Sequence, residues 1–316
     1  FRRERLQVEA LRPWDIGVNL YRAEPLTPFT DGTDLARGVG RMFTRVDPVL
    51  GAQFQTMIDE NLLDLDSRKG KAPGGYCDTL HVIGRPFIFM NASGVMEDVT
   101  TMLHEAGHAF HAFASREQPM VWQRHPGAEA AELASMSMEL LAAPELGPPA
   151  GMLDERDAAI ARLEHLEDSR ASLVHIASVD AFQNWIYTSG KGLDPDQRDT
   201  AWLRIRARFE QGVDWSGLMA ERIARWYRQL HIFLYPLYYI EYGIAQLGAL
   251  QVFRNQRRDG DAALAAYRRF LALGATEPLP DLYRAAGASL IFDPVAMRPL
   301  IDMVEEEMDR LRGVAA

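Results

Sequence analysis

The sequence is short of several things, and each shortage excludes something. There is one cysteine, Cys77, so no disulfide can form within the chain. That fits a reducing compartment, and a cytoplasmic protein is the expectation. No apolar run is long enough to span a bilayer; the longest, near Leu230 to Ile240, contains His231 and Pro236. Positive charge is also scarce: 34 Lys and Arg stand against 44 Asp and Glu, a net charge of −10. Neither nucleic acid nor an anionic membrane surface is therefore expected as a partner. Repeats, low-complexity tracts and an obvious domain linker are lacking too. What remains is a 316-residue chain, 47% hydrophobic and 25% charged, with the composition of a folded globular protein.

Most of it reads as helix. Residues 1–12 form a helical pattern stopped by Pro13, and 14–33 read as irregular. Asp47-Pro48 is a helix start, with Asp as cap and Pro in the first turn, running to Leu63. A loop at 67–75 precedes two short strands, 76–83 and 87–91. Further helices are expected at 127–143, 153–187, 195–209, 261–273, 279–286 and 294–312. The stretch 218–257 reads as mostly helical with a kink at Pro236. The class is mainly α with one small β element.

One helix carries the chemistry. Val99 to His111 contains His104-Glu105-Ala106-Gly107-His108, the pattern H-E-x-x-H. Residues four apart leave a helix on nearly the same face, so both histidines can reach one metal ion. Glu105 lies about 100° round the helix, beside the metal, where it can act on a water as general base.

A hydrolytic site of this kind needs a third protein ligand and an open position. Glu132, 24 residues after His108 on a separate helix, is the candidate, and it shares a face with Glu139. Its other reading is a solvated surface charge, the usual fate of Glu. Glu139 and Asp98 are candidates to accept the remaining ring N–H of a bound histidine, and His111 lies on the face of His104. Farther on, His231, Tyr239 and Tyr242 can donate hydrogen bonds to a developing oxyanion. The same spacing also suits an aromatic core helix. Gly74 and Gly75 let a backbone approach a ligand closely, and the strands after them offer an edge to an extended peptide.

Taken together, these segments resemble one family. The pieces are GGYCDTL (74–80), RPFIFMN (85–91), DVTTMLHEAGHAFH (98–111), E-x-x-S-x-x-x-E (132–139), HIFLYPLYYIEYGIAQLGALQVF (231–253) and LRPWD (11–15). They are similar to the oligoendopeptidase F / thimet oligopeptidase family of zinc metallopeptidases, above all its bacterial oligoendopeptidase F branch. The resemblance implies a zincin-type, mainly α catalytic domain with a small antiparallel β element. It implies one zinc ion on His104, His108 and Glu132, with Glu105 as base and acid. His231, Tyr239 and Tyr242 would contact the substrate or transition state, with Tyr238 an alternative to Tyr239. The substrates implied are short oligopeptides. One departure is Leu-Ala before Ser135, where many relatives have a proline. Family members are usually much longer, so residues 1–316 are expected to be a C-terminal catalytic region without its helical lobe, which a preceding segment or partner chain would supply. Rival expectations are a zinc exopeptidase and a non-catalytic peptide-binding fragment.

Overall fold

The computed structural model describes residues 1–316. In chain order its elements begin with α1 (Arg2–Leu6), α2 (Gly32–Val46) and α3 (Pro48–Asp59). The strands β1 (Leu63–Asp66), β2 (Tyr76–Leu80) and β3 (Arg85–Ala92) follow, and then α4 (Met96–Ser115) and α5 (Ala128–Ala142). Next come α6 (Glu155–Thr188), α7 (Pro195–Phe209), α8 (Met219–Ala224), α9 (His231–Leu234) and α10 (Ile240–Arg258). The chain finishes with α11 (Gly260–Leu273), α12 (Leu279–Ala285) and α13 (Pro294–Ala315). The expected class, mainly α with a small β element, is what the structure shows, but the sheet is mixed rather than antiparallel because β1 joins β3 in parallel.

The chain divides into two compact units. One comprises 1–24 and 168–243, the other 25–167 and 244–316. The chain crosses between them three times, once in the irregular segment at Glu24-Pro25 and then inside α6 and inside α10.

In the larger unit, α2 places Leu35, Val39, Met42 and Phe43 on one buried stripe at helical spacing. Asp31 caps it by accepting the Asp34 N–H at 2.8 Å. Asp47 does the same for α3, accepting the N–H groups of Val49 and Leu50. Phe43 packs edge-on against Phe54 and Phe110, with centroids 5.0 and 4.9 Å apart, and so fixes α2 and α3 behind α4. The helix α4 also packs on α5, α11 and β3. The sheet order is β1-β3-β2, with β1 parallel and β2 antiparallel to β3. The smaller unit has its own core of Val179, Phe182, Trp202, Ile205, Trp226 and Ile232.

The structure departs from the sequence reading at four places. The first helix stops at Leu6, where Gln7 turns left-handed at φ 56°, and none of its residues is buried to extend it by packing. An unforeseen helix, α2, follows the irregular segment. The helix after Asp47 ends at Asp59, and Leu63 instead opens β1, whose partner lies some 25 residues on. The run 218–257 is broken into three helices rather than kinked. Pro236 pushes Tyr235 to φ −134°, ψ 80°, and Leu237 takes φ 60°.

Phe43 is fully buried at the centre of the aromatic cluster. Phe43→Ala should cost about 3–5 kcal/mol of stability in denaturant unfolding, the usual range for a buried Phe. A loss under about 1 kcal/mol would mean that this cluster does not anchor α4.

Candidate metal centre

The site is built where α4 and α5 touch. Gly107 makes the approach possible: a Cβ there would lie 2.5 Å from Ser135 Cα and 2.9 Å from the Ala134 carbonyl. With no side chain between the two helices, donor atoms of His104, His108 and Glu132 come within 4.8 Å of one another. Glu132 Oε2 is 3.2 Å from His104 Nε2 and 3.7 Å from His108 Nε2. Ligands on a tetrahedral zinc, about 2.0–2.1 Å from the ion, sit roughly 3.3 Å apart. Two imidazole nitrogens and a carboxylate oxygen at these separations fit a metal with a fourth position left open. Glu132 is buried, and Ser135 Oγ donates to its Oε2 at 3.0 Å.

His104 is held from both sides. Its Nδ1–H donates to Glu139 Oε1 at 2.6 Å, which turns Nε2 toward the donor cluster. Burial opposes charge on this ring, but hydrogen bonds to Glu132 and Glu139, and their charges, push its pKa up to about 10. Burial and the charge on His104 push His108 down to about 4. Glu132 is drawn below its usual value despite burial, chiefly by the hydrogen bond with His104. The two carboxylates thus favour positive charge at this point.

Glu105 is 8% exposed. Burial raises its pKa to about 7, His104 opposes that, and the charge of Glu132 adds to it. The Cys77 backbone N–H on β2 donates to the carboxylate and steadies it. A carboxylate near neutrality can both take and release a proton.

The other sequence candidates fall in different places. Asp98 accepts the N–H groups of Ser93, Gly94 and Val95 at 2.8, 3.0 and 3.1 Å, so its carboxylate caps the start of α4 rather than supporting a histidine. His111 is buried with its ring on Phe270, 5.3 Å between centroids, and burial pushes its pKa to about 3. Gly74 takes φ 96°, which favours glycine, and nothing crowds it. Gly75 is tighter, since a Cβ would meet Thr101 Cγ2 at 3.3 Å. His231, Tyr238, Tyr239 and Tyr242 lie together in the smaller unit, with His231 ring centroids 6.1, 4.9 and 5.8 Å from the three tyrosines in turn.

Two participants escaped the sequence reading. His165 Nε2 on α6 is 3.4 Å from Glu139 Oε2, the oxygen not used by His104. The Cys77 N–H belongs to the backbone, which no side-chain pattern reveals.

An H-E-x-x-H helix set against a second helix that carries a buried carboxylate, in a mainly helical fold, defines the metallopeptidase class. The model of Peptidase family M3 matches residues 2–293, and the chain belongs to that family. It is similar to Oligopeptidase PepF of Bacillus subtilis (strain 168), 24% identical over 280 residues that cover 83% of this chain and 39% of PepF. Among solved structures, PZ peptidase A with an inhibitor superposes with a TM-score of 0.89 at 31% identity. That match covers 98% of this chain and 54% of that one. A structure assigned to oligoendopeptidase F gives a TM-score of 0.90 at 31% identity, covering 100% of this chain and 55% of its own. This chain thus spans about half the length of those structures. None of its helices is long and apolar enough to cross a membrane.

Gly107→Ala should drive α5 off α4 and weaken metal binding about 10-fold or more, as loss of a ligand-supporting contact does. Competition with a chromophoric chelator measures it. An unchanged Kd would show that the donor set does not depend on the close approach.

Proposed function

We propose that this chain is the catalytic part of a zinc endopeptidase that hydrolyses internal bonds of short oligopeptides. The observation that carries this is the convergence of His104, His108 and Glu132, with the buried Glu105 beside them. Zinc, when bound, would supply Lewis acidity and lower the pKa of water. The chain's residues do the rest. Glu105 takes the proton from the attacking water and hands it to the leaving amine. Its pKa near 7 suits both transfers. Glu139 holds the His104 ring in orientation, and Ser135 holds Glu132.

Peptide binding is assigned to the sheet. The order β1-β3-β2 leaves β2 at an edge, where an extended peptide can pair through main-chain hydrogen bonds with little demand on its sequence. Gly74 and Gly75, immediately before β2, keep its entrance free of side chains. In the smaller unit His231, Tyr239 and Tyr242 are assigned as hydrogen-bond donors to the substrate, and Tyr238 as a further contact. The wider activity belongs to the whole protein, of which relatives of about twice this length are examples.

Glu105→Gln should keep zinc at one ion per chain and lose turnover of an end-blocked, internally quenched peptide by several orders of magnitude. Retained turnover would end the role given to Glu105. Glu132→Ala should lose the zinc itself, and full occupancy in that variant would mean the third ligand is another residue. Cleavage of the blocked peptide by the unaltered protein separates an endopeptidase from an exopeptidase, which needs a free terminus.

A further inference from the structure

Gln229 joins two histidines that no sequence motif connects. Its backbone is fixed: its N–H donates to the Trp226 carbonyl at 3.1 Å, and its own carbonyl accepts the Ile232 N–H at 3.0 Å. Trp226 and Ile232 are both buried in the core of the smaller unit, so the residue between them has little freedom. Its side chain reaches two rings. His175 Nε2, on α6, is 3.1 Å from Gln229 Oε1. Gln229 Nε2 is 2.7 Å from His231 Nδ1. The amide also hydrogen-bonds the Tyr239 hydroxyl, where it opposes the upward effect of burial.

The donor and acceptor inventory of an amide makes this arrangement directional. An amide oxygen only accepts, so His175 must present Nε2–H. An amide nitrogen only donates, so His231 Nδ1 must be the bare, accepting nitrogen. The proton of a neutral His231 then sits on Nε2. Given the role assigned above to His231, we propose that Gln229, backed by His175, is a positioning residue that locks His231 in the Nε2–H tautomer so that it can donate a hydrogen bond to substrate.

The surroundings of His175 favour a neutral ring. Burial lowers the pKa of His175, the Gln229 bond opposes it, and the charges of Arg206 and Arg225 lower it further against Glu210. The rings of Tyr235, Tyr238, Tyr239 and Tyr242 lie around His231 at centroid distances of 5.9, 6.1, 4.9 and 5.8 Å. An amide partner, unlike a carboxylate, adds no charge that would favour an imidazolium. The chain thus gives its two key imidazoles different supports. His104 has the carboxylate Glu139, which strengthens it as a ligand, whereas His231 has an amide, which directs its proton to Nε2.

The test is nitrogen-15 NMR of the histidine rings in the zinc-loaded protein, with kinetics on Gln229→Leu, Gln229→Glu and His231→Ala. The expected spectrum shows His231 protonated at Nε2 and bare at Nδ1. Gln229→Glu should move the proton toward Nδ1, because a carboxylate accepts there. It should lower kcat about 100-fold with KM little changed, the scale of losing one transition-state donor. Gln229→Leu should leave a tautomer mixture and a smaller loss. A His231 protonated at Nδ1 in the unaltered protein would overturn the proposal, as would full kcat in both Gln229 variants while His231→Ala is impaired. Full kcat in His231→Ala would instead remove the assigned role of His231, and with it the catalytic part of the inference.

Discussion

The ring of His104, held between the buried carboxylate of Glu132 and the half-buried one of Glu139, is the interaction on which the rest of the site depends. Two carboxylates in a largely apolar setting are costly unless a positive charge or a metal lies with them. Glu132 meets Nε2 and Glu139 meets Nδ1, so both carboxylates are answered by one side chain. Their charges raise the pKa of His104 against burial, so this point of the site favours positive charge. A divalent ion held by His104, His108 and Glu132 would supply that charge, with Glu139 orienting the ring.

The fold exists around that contact. Close packing of α4 on α5 requires a residue without a side chain, and Gly107 is the one that lies between them. Behind α4, Phe43, backed by Phe54, packs against Phe110 of the helix and supports it from that side. From another side, β2 delivers the Cys77 N–H to Glu105, so the strand assigned to the peptide also steadies the base. His104, His108, Glu132, Glu105 and the β2 edge therefore share one frame within the larger unit.

Much of this was legible in the sequence because it is local. The spacing of His104, Glu105 and His108 follows from helix geometry, and the Asp47-Pro48 cap is a matter of adjacent residues. Even α2 left a readable stripe in Leu35, Val39, Met42 and Phe43, although it lies next to a Pro- and Gly-rich stretch that drew the reading toward irregular structure. What was hidden depends on partners far along the chain. Strand β1 exists through its pairing with β3, and its four residues carry no pattern of their own. His165 acquires meaning only when α6 brings it to Glu139, and Gln229 only when α6 brings His175 to it. Asp98 is the converse case: an acidic residue near the motif, free in principle to support a ligand, is used by the nearest unsatisfied backbone N–H groups. The division into two units was also invisible, because two of its three crossings lie within the continuous helices α6 and α10.

The central claim is that one metal ion is held by His104, His108 and Glu132. Anomalous diffraction at the zinc edge from crystals of the zinc-loaded protein tests it most directly. The account predicts a single strong peak about 2.0–2.2 Å from His104 Nε2, His108 Nε2 and a Glu132 oxygen, with Glu139 bonded to His104 and not to the ion. A peak coordinated by Glu139 in place of Glu132, or one lying away from both histidines, would contradict it.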